Sequence, residues 1–312
     1  MGVWEYENRS TVNRQPSTVN DPYLYIMETS VCICGAGTMG RGITLAVASH
    51  GIPVILYDLR PETVSQAAAL IEKEMEQGVE KKRMSIEDKE NIFRRISFST
   101  SISDCRAPLI IEAILEKTEA KSALFLELAG INNQETIFAT NTSSLSVTEI
   151  AQQTNFPHRV IGMHFFNPAN RMKLVEIIRT KYNSDEIVLR IISFVKQIEK
   201  TPVVCQDKPG FIVNHVARPF YLEALRLAED KIADISTIDK IMESAGFNMG
   251  PFHLMDLIGN DINYTVSCSL YESLGRPPRL KPSAFQEMLV KQGMLGKKTG
   301  NGFFQYAKSQ SE

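Results

Sequence analysis

The chain has 312 residues, of which 43% are hydrophobic and 22% are charged, and its formal net charge at pH 7 is -2. Domains usually hold about 100–200 residues, so this length predicts two domains. The composition is that of a globular protein and excludes a chain that is disordered throughout. The near-balance of acidic and basic residues argues against binding to nucleic acid or to an anionic membrane through overall charge.

Apolar stretches in the sequence are short. None reaches the roughly 18 residues that a membrane-spanning helix requires, so no transmembrane segment is predicted. The five cysteines are scattered and form no C-x-x-C pair. This pattern predicts neither a disulfide framework nor a zinc site, and we expect no bound metal. It favours a reducing compartment, and we expect the cytoplasm.

Residues 1–30 differ from the sequence that follows. They are polar, show no hydrophobic period and carry the tetrapeptide Ser-Thr-Val-Asn twice, at Ser10 and Ser17. No apolar core follows a basic start, which argues against a secretory signal, and acidic residues weaken a mitochondrial one. We expect either a poorly ordered extension or a start placed too early, with Met27 as the internal alternative.

Short apolar runs alternate with helical patterns from Val31 onward. The predicted strands are Val31–Cys34, Val54–Tyr57, Leu109–Ile111, Ile137–Ala139, Val160–Phe165, Val175–Ile178 and Val203–Cys205. The helical patterns between them are Ile43–Ser49, Pro61 to about Gln77, Glu119–Ala129 and Asp185–Ile198. This alternation is typical of an α/β fold with a doubly wound, mostly parallel sheet of the Rossmann type.

Strand patterns stop after Asp207, and long helical patterns take over, of which Phe211–Glu229 is the clearest. We therefore predict an α/β domain over residues 31–207 and an all-helical domain over residues 208–312.

The hexapeptide Gly35–Gly40 fits the pattern G-x-G-x-x-G and lies between a predicted strand and a predicted helix. In this pattern Gly35 permits a tight turn, Gly37 lets the backbone approach a pyrophosphate and Gly40 lets helix and strand touch. The N-terminus of the helix offers unpaired N–H groups to the anion. The predicted cofactor-binding residues of this turn are Gly35, Gly37, Thr38, Met39 and Gly40. The alternative is a turn that holds no phosphate.

Asp58 ends the next predicted strand, about 20 residues further along the chain. Its carboxylate can accept hydrogen bonds from a ribose diol but would repel the 2′-phosphate of NADP, so the predicted cofactor is NAD. Two alternatives stay open. The nearby Arg60 could accommodate a phosphate, and Asp58 could be a solvated residue at a strand end.

His164 lies at the end of a predicted strand, and ligands bind at the carboxyl ends of strands in such sheets. An imidazole there could take the hydroxyl proton of an alcohol that a nicotinamide oxidises. A single histidine beside phenylalanines is more often a packed residue, so this assignment depends on the motifs around it.

Four motifs accompany this histidine. They are Asn141–Leu145 (NTSSL), His164–Pro168 (HFFNP), Met172–Glu176 (MKLVE) and Pro209–Asn214 (PGFIVN). In order and spacing they resemble the L-3-hydroxyacyl-CoA dehydrogenase family, and the resemblance covers residues 31–306. It implies an NAD-dependent enzyme of fatty acid metabolism, as in β-oxidation, that reversibly oxidises (S)-3-hydroxyacyl-CoA to 3-ketoacyl-CoA.

The resemblance also implies catalytic roles. His164 matches the catalytic base, and Glu176 matches the carboxylate that orients its imidazole and fixes its tautomer. Ser143 and Asn214 match positions that hydrogen-bond the reacting oxygen of the substrate. Taken singly, Ser143 could instead cap a helix over Leu145–Ile150, and Asn214 could be a capping amide.

Further cofactor-binding residues follow from the resemblance alone. They are Glu116, Lys121, Asn141 and Asn167. Without it, Glu116 and Lys121 would be a solvated helix start and Asn167 a turn residue.

The amphipathic stretch Glu62–Arg95 resembles the helical arm that meets coenzyme A in this family. Lys81 and Lys82 are therefore candidates to bind the 3′-phosphate of the substrate's CoA, although a run of charges is more often a solvated face.

The helical domain in this family closes the cleft and forms a homodimer, so a homodimer is expected. The acyl group stays open. A 3-hydroxybutyryl or another short-chain group is one possibility. The segment Asp256–Ser283 resembles members that act on 3-hydroxyadipyl-CoA in aromatic-acid catabolism as well as butyryl-type enzymes. Two other functions are alternatives: a non-catalytic, NAD-binding structural paralogue and a reductase that acts on a free 3-hydroxy acid.

Overall fold

The structure is a computed structural model, and it describes residues 29–306. The expected extension over residues 1–30 therefore lies outside the described residues, except for its last two. None of the helices in residues 29–306 is long and apolar enough to cross a membrane.

Eight strands of the described chain form one sheet. They are β1 (Val31–Cys34), β2 (Val54–Tyr57), β3 (Ile96–Ser99), β4 (Leu109–Glu112), β5 (Ile137–Thr140), β6 (Val160–Phe165), β7 (Leu174–Arg179) and β8 (Thr201–Gln206). Their order across the sheet is β3-β2-β1-β4-β5-β6-β7-β8, and neighbours are parallel except β6 and β7. The strand order reverses between β1 and β4, where doubly wound sheets bind their ligands.

Helices cover both faces of this sheet. Those in the strand-containing part are α1 (Thr38–Ala48), α2 (Pro61–Glu80), α3 (Ile86–Arg94), α4 (Thr118–Ala129), α5 (Val147–Gln152) and α6 (Asp185–Gln197). One buried apolar cluster joins the sheet to residues of α1, α2 and α6, and a second joins it to residues of α4 and α5. The predicted doubly wound, mostly parallel fold is confirmed.

One strand of the sheet was not predicted from the sequence, and the position of the antiparallel pair was left open by the prediction of a mostly parallel sheet. Strand β3 was not predicted, because it is an edge strand in which only Ile96 is buried, so it lacks a recognisable apolar run. Strand β7 runs antiparallel to β6 because the connection from Phe165 to Leu174 is too short for the crossover that a parallel pair needs.

Five α-helices follow the last strand in the described residues. They are α7 (Val213–Glu229), α8 (Ile235–Ser244), α9 (Pro251–Ile258), α10 (Asn260–Ser273) and α11 (Ala284–Lys291). They enclose a third apolar cluster, to which Leu225, Phe252 and Met255 contribute fully buried side chains. The predicted domain boundary at Lys208 falls in the connection between β8 and α7.

Three of the five cysteines meet in the core. The sulfur atoms of Cys32, Cys34 and Cys105 lie within 4.8 Å of one another, and all three residues are buried. Each of the five cysteines is free. Their scatter along the chain gave no sign of this cluster, because the turn before β4 brings Cys105 beside the central strand.

Candidate active site

The glycine-rich turn leaves β1 and enters α1. Gly35 has a φ of +104°, and a Cβ there would lie 2.6 Å from the carbonyl oxygen of Ala113. A Cβ at Gly40 would overlap the carbonyl oxygen of Gly35. Packing and backbone conformation therefore require glycine at both positions.

Gly37 is different, because a Cβ at this position would meet no atom of residues 29–306 within 4 Å. It is the N-cap of α1, and no side chain caps the first turn, which holds Thr38 and Met39. The space at Gly37 and the uncapped N–H groups form a cradle that suits the pyrophosphate of a dinucleotide.

A cavity of about 570 Å³ opens beside this turn, and its lining includes Gly35, Gly37, Asp58 and Arg60. Asp58 Oδ2 accepts a hydrogen bond from the backbone N–H of Ala36 at 2.9 Å, and its Oδ1 accepts one from the backbone N–H of Arg60 at 3.1 Å. The carboxylate is thus held between the glycine-rich turn and the end of β2. The guanidinium of Arg60 is exposed, and its Nε lies 3.9 Å from Asp58 Oδ1.

His164 and Glu176 face each other on the antiparallel strands β6 and β7. His164 Nδ1 lies 2.7 Å from Glu176 Oε2, and both side chains are buried. Glu176 Oε1 accepts hydrogen bonds from the backbone N–H groups of Ile212 and Val213, each at 2.9 Å. The carboxylate therefore joins the imidazole to the start of α7.

The surroundings of Glu176 favour its charged form. Burial by itself would raise the pKa of its carboxyl, but the hydrogen bonds from His164, Val213 and Ile212 outweigh burial and hold that pKa below its usual value.

Asn214 lies in the first turn of α7, directly after Val213. Its Nδ2 donates a hydrogen bond to the carbonyl oxygen of Ser143 at 3.4 Å. His164 contacts Glu176, Glu176 contacts the backbone of Val213, and Asn214 contacts Ser143. Because Val213 and Asn214 are neighbours in the chain, the four predicted catalytic residues are linked. The alternative of Ser143 as a helix cap is wrong, because Ser146 caps α5 and its side chain accepts from the backbone N–H of Glu149.

Glu116 holds the turn that carries Ser143. Its Oε1 accepts hydrogen bonds from the hydroxyl of Thr142 at 2.5 Å and from the backbone N–H of Ser143 at 3.1 Å. Burial would raise the pKa of Glu116, but the charge of Lys121 and the hydroxyl of Thr142 outweigh it and lower that pKa.

Lys121 is buried in α4, and its ammonium lies between two carboxylates. Its Nζ is 2.8 Å from both oxygens of Glu112 and 3.2 Å from Glu116 Oε2. The sequence prediction missed Glu112, which is fully buried at the end of β4 and also accepts from the hydroxyl of Thr140. The available signal was a carboxylate as the last residue of an apolar strand.

The remaining predicted residues lie in three places. Asn141 directly follows β5, and its Oδ1 accepts a hydrogen bond from the backbone N–H of Phe165 at 2.9 Å. Asn167 is exposed in the loop after β6. Lys81 and Lys82 are exposed between α2 and α3, and within the described chain their side chains form no hydrogen bond or ion pair.

The site combines a Rossmann sheet with an open pyrophosphate cradle, a histidine–glutamate pair near the carboxyl end of β6, and a helical part that contacts this pair. These features together define a class, the two-domain nicotinamide-dependent dehydrogenases. Two family models match the chain. The one for the NAD binding domain of 3-hydroxyacyl-CoA dehydrogenase matches residues 30–208, and the one for the C-terminal domain of the same enzymes matches residues 210–306. The chain belongs to the 3-hydroxyacyl-CoA dehydrogenase family, and its cofactor is NAD.

The names of individual proteins that are similar to this chain agree with the family assignment. The chain is 42% identical to a 3-hydroxyadipyl-CoA dehydrogenase of Escherichia coli over 89% of its own length, but it spans only 59% of that relative. It is 38% identical to a probable 3-hydroxybutyryl-CoA dehydrogenase of Bacillus subtilis, over 90% of this chain and 98% of the relative. The crystal structure of an (S)-3-hydroxybutyryl-CoA dehydrogenase from Ralstonia eutropha superposes with a TM-score of 0.85 at 35% identity, covering 90% of this chain and 100% of that one.

Proposed function

We propose that the protein catalyses the reversible, NAD-dependent oxidation of (S)-3-hydroxyacyl-CoA to 3-ketoacyl-CoA. The observation that carries this proposal is the 2.7 Å contact between His164 Nδ1 and Glu176 Oε2. It engages one ring nitrogen and leaves Nε2 for the hydroxyl of a substrate.

His164 acts as the general base in this mechanism. Glu176 accepts the hydrogen bond from Nδ1–H, which fixes the tautomer that has a free lone pair on Nε2. When Nε2 takes the hydroxyl proton, the ring becomes cationic, and the adjacent carboxylate stabilises that charge. Bound NAD supplies the hydride acceptor. In the reverse direction His164 returns the proton to the substrate oxygen.

Ser143 and Asn214 orient the reacting oxygen in this proposal. The contact between the Asn214 amide and the Ser143 carbonyl supports it, because it places both residues at the junction of the sheet and α7. Glu116 and Lys121 stay proposed cofactor-binding residues, and they also support the turn that carries Ser143 and thus position it. A reacting group held in place gains rate through orientation and through dipoles aimed at the developing charge.

We assign cofactor binding to the glycine-rich turn and Asp58. Asp58 binds the adenosine ribose in this proposal, since its carboxylate borders the cavity beside the turn. Asn141 and Asn167 lie just after the carboxyl ends of β5 and β6 and are proposed to contact the cofactor there. Lys81 and Lys82 remain candidates for the 3′-phosphate of CoA.

We propose a short-chain acyl group, and the names of the relatives suggest either a butyryl or an adipyl type.

We also propose that the two domains divide at residue 208. A cytoplasmic location is proposed as well, and the free cysteines support it. Finally, we propose that the protein forms a homodimer. The helical part exposes large apolar side chains that a second copy could cover: Val216, Ile232, Ile241, Phe247, Leu257 and Ile262.

The activity is tested by mixing the purified protein with NADH and acetoacetyl-CoA and following the near-ultraviolet absorbance of the cofactor. We expect the absorbance to fall with time and to stay constant when free acetoacetate replaces the thioester. Tight NADH binding without turnover of any 3-ketoacyl-CoA would contradict the proposal and favour a structural paralogue. Sedimentation of the same sample measures its oligomeric state.

A further inference from the structure

Arg218 is one of the largest fully buried side chains of the described chain and is only 1% exposed. All its side-chain hydrogen bonds are made by Nη1, to the carbonyl oxygen of Asn263 at 3.1 Å, to Asn263 Oδ1 at 3.3 Å and to Ser267 Oγ at 2.8 Å. Its Nε is buried and has no hydrogen-bond partner in the part of the chain that the structure describes. Nη1 is therefore fully hydrogen-bonded, whereas the edge of the guanidinium that carries Nε is free.

Within residues 29–306 the charge of this arginine has no counter-ion. Among the described residues no carboxylate lies within ion-pair distance of Arg218, and its hydrogen-bond partners are neutral oxygens. The ring of Tyr221, 5.2 Å from the guanidinium carbon, faces it as well. Burial lowers the pKa of Arg218 to about 10, so the group is still cationic at neutral pH. Buried charges in proteins are as a rule paired, which makes this free edge a place for an anion.

The position of Arg218 relates it to the active site. It follows Asn214 by four residues in α7, so the two side chains leave the same face of the helix about 6 Å apart along its axis. Its partners Asn263 and Ser267 belong to α10, which also approaches the start of α7, since Leu270 lies against Gly210. An acyl chain that continues beyond an oxygen bound at Asn214 has this arginine one helical turn away.

We propose that Arg218 binds a carboxylate at the far end of the acyl group, so that the preferred substrate is the CoA thioester of a short dicarboxylic 3-hydroxy acid. This inference rests on the proposed function. A carboxylate matches the fork of Nε and the neighbouring amino group, and such bidentate pairs are strong where water is excluded. Asn263 and Ser267 orient the fork from its other edge. A purely structural arginine that links α7 to α10 would make no distinction between charged and uncharged acyl ends.

The test compares two substrates of equal chain length, 3-oxoadipyl-CoA and 3-oxohexanoyl-CoA, which differ in the terminal carboxylate. We expect the wild-type protein to have a kcat/KM at least about 10-fold higher for 3-oxoadipyl-CoA, as a hydrogen-bonded charge pair implies. This measurement requires no variant. An equal or lower value for 3-oxoadipyl-CoA overturns the role of Arg218, whereas absence of turnover with every 3-ketoacyl-CoA overturns the proposed function itself.

Variants then assign the preference to one residue. Arg218→Met is expected to lower the ratio of the two kcat/KM values by about 10–100-fold, and Arg218→Lys to lower it less, because lysine keeps the charge but loses the fork. Arg226→Met is the matched control. This arginine lies on the same helix but is partly exposed and paired with Glu223, so the ratio should stay at its wild-type value. An equal loss for both substrates in Arg218→Met would show a structural role and overturn the proposal.

Discussion

His164 and Glu176 are directly opposed residues of the antiparallel pair β6–β7, and the carboxylate that holds the imidazole also accepts the backbone N–H groups at the start of α7. One side chain thus fixes both His164, the proposed catalytic base, and the segment that carries Asn214. The orientation of the proposed base and the placement of the residue proposed to bind the substrate oxygen are set together. This coupling explains why the activity should be sensitive to changes on either side of Glu176.

Replacing His164 with glutamine should lower kcat by about 10²–10⁴-fold, because glutamine cannot take up the hydroxyl proton. NADH binding should survive, since the assigned cofactor residues lie elsewhere. The measurements are steady-state turnover of acetoacetyl-CoA and NADH titration. His253→Gln is the matched control: His253 also pairs with a carboxylate, Asp239, at 2.6 Å, but in the helical part. Wild-type turnover in His164→Gln would refute the assignment.

Ionisation of Glu176 should make the free energy of unfolding depend on pH in the acid range. Its pKa in the folded protein lies below the value of about 4.3 that an unfolded glutamate has, so its stabilising effect is complete above that pH. The effect is lost as the pH falls through the lowered pKa of the folded state. We expect Glu176→Gln to be less stable than the wild type at pH 7, and the difference to shrink below about pH 4.3.

Urea unfolding at a series of pH values measures this dependence. Glu186→Gln, at an exposed position in the first turn of α6, is the control and should keep the acid response of the wild type. A difference between wild type and Glu176→Gln that is the same at every pH would show that the ionised carboxylate is not the stabilising form.

Local patterns were sufficient to predict seven of the eight strands, which have apolar runs, and the glycine-rich turn, which has a fixed spacing. These patterns could not show which residues, distant in the sequence, come into contact in the folded chain. Glu112 and Lys121 are nine residues apart, yet their pairing is set by the packing of α4 on the sheet. The partners of Arg218 lie on α10, at a separation that no sequence period relates to α7. Strand β3 was missed because few side chains of an edge strand are buried, so its sequence lacks an apolar run.

Asp58→Ala should reduce the preference for NADH over NADPH. The loss of a charged acceptor for the ribose hydroxyls should weaken NADH binding about 10–100-fold, while NADPH binding gains from the removal of a negative charge. Fluorescence titration with both cofactors gives the ratio. Arg60→Ala is the companion variant and should weaken only NADPH binding. If the ratio in Asp58→Ala equals that of the wild type, Asp58 does not contact the ribose.

Lys121→Met should destabilise the protein by about 3–5 kcal/mol, because it leaves the buried carboxylate of Glu112 without a counter-ion. Adding Glu112→Gln to this variant should recover part of the loss, since the uncompensated charge is then removed. The free energy of unfolding in urea measures both effects, and Lys117→Met, at the exposed N-cap of the same helix, should cost far less. Additive losses in the double variant would mean that the two residues do not stabilise the fold as a pair. The recovery should extend to activity only in part, because Glu116 would still lack the ammonium that holds it beside Ser143.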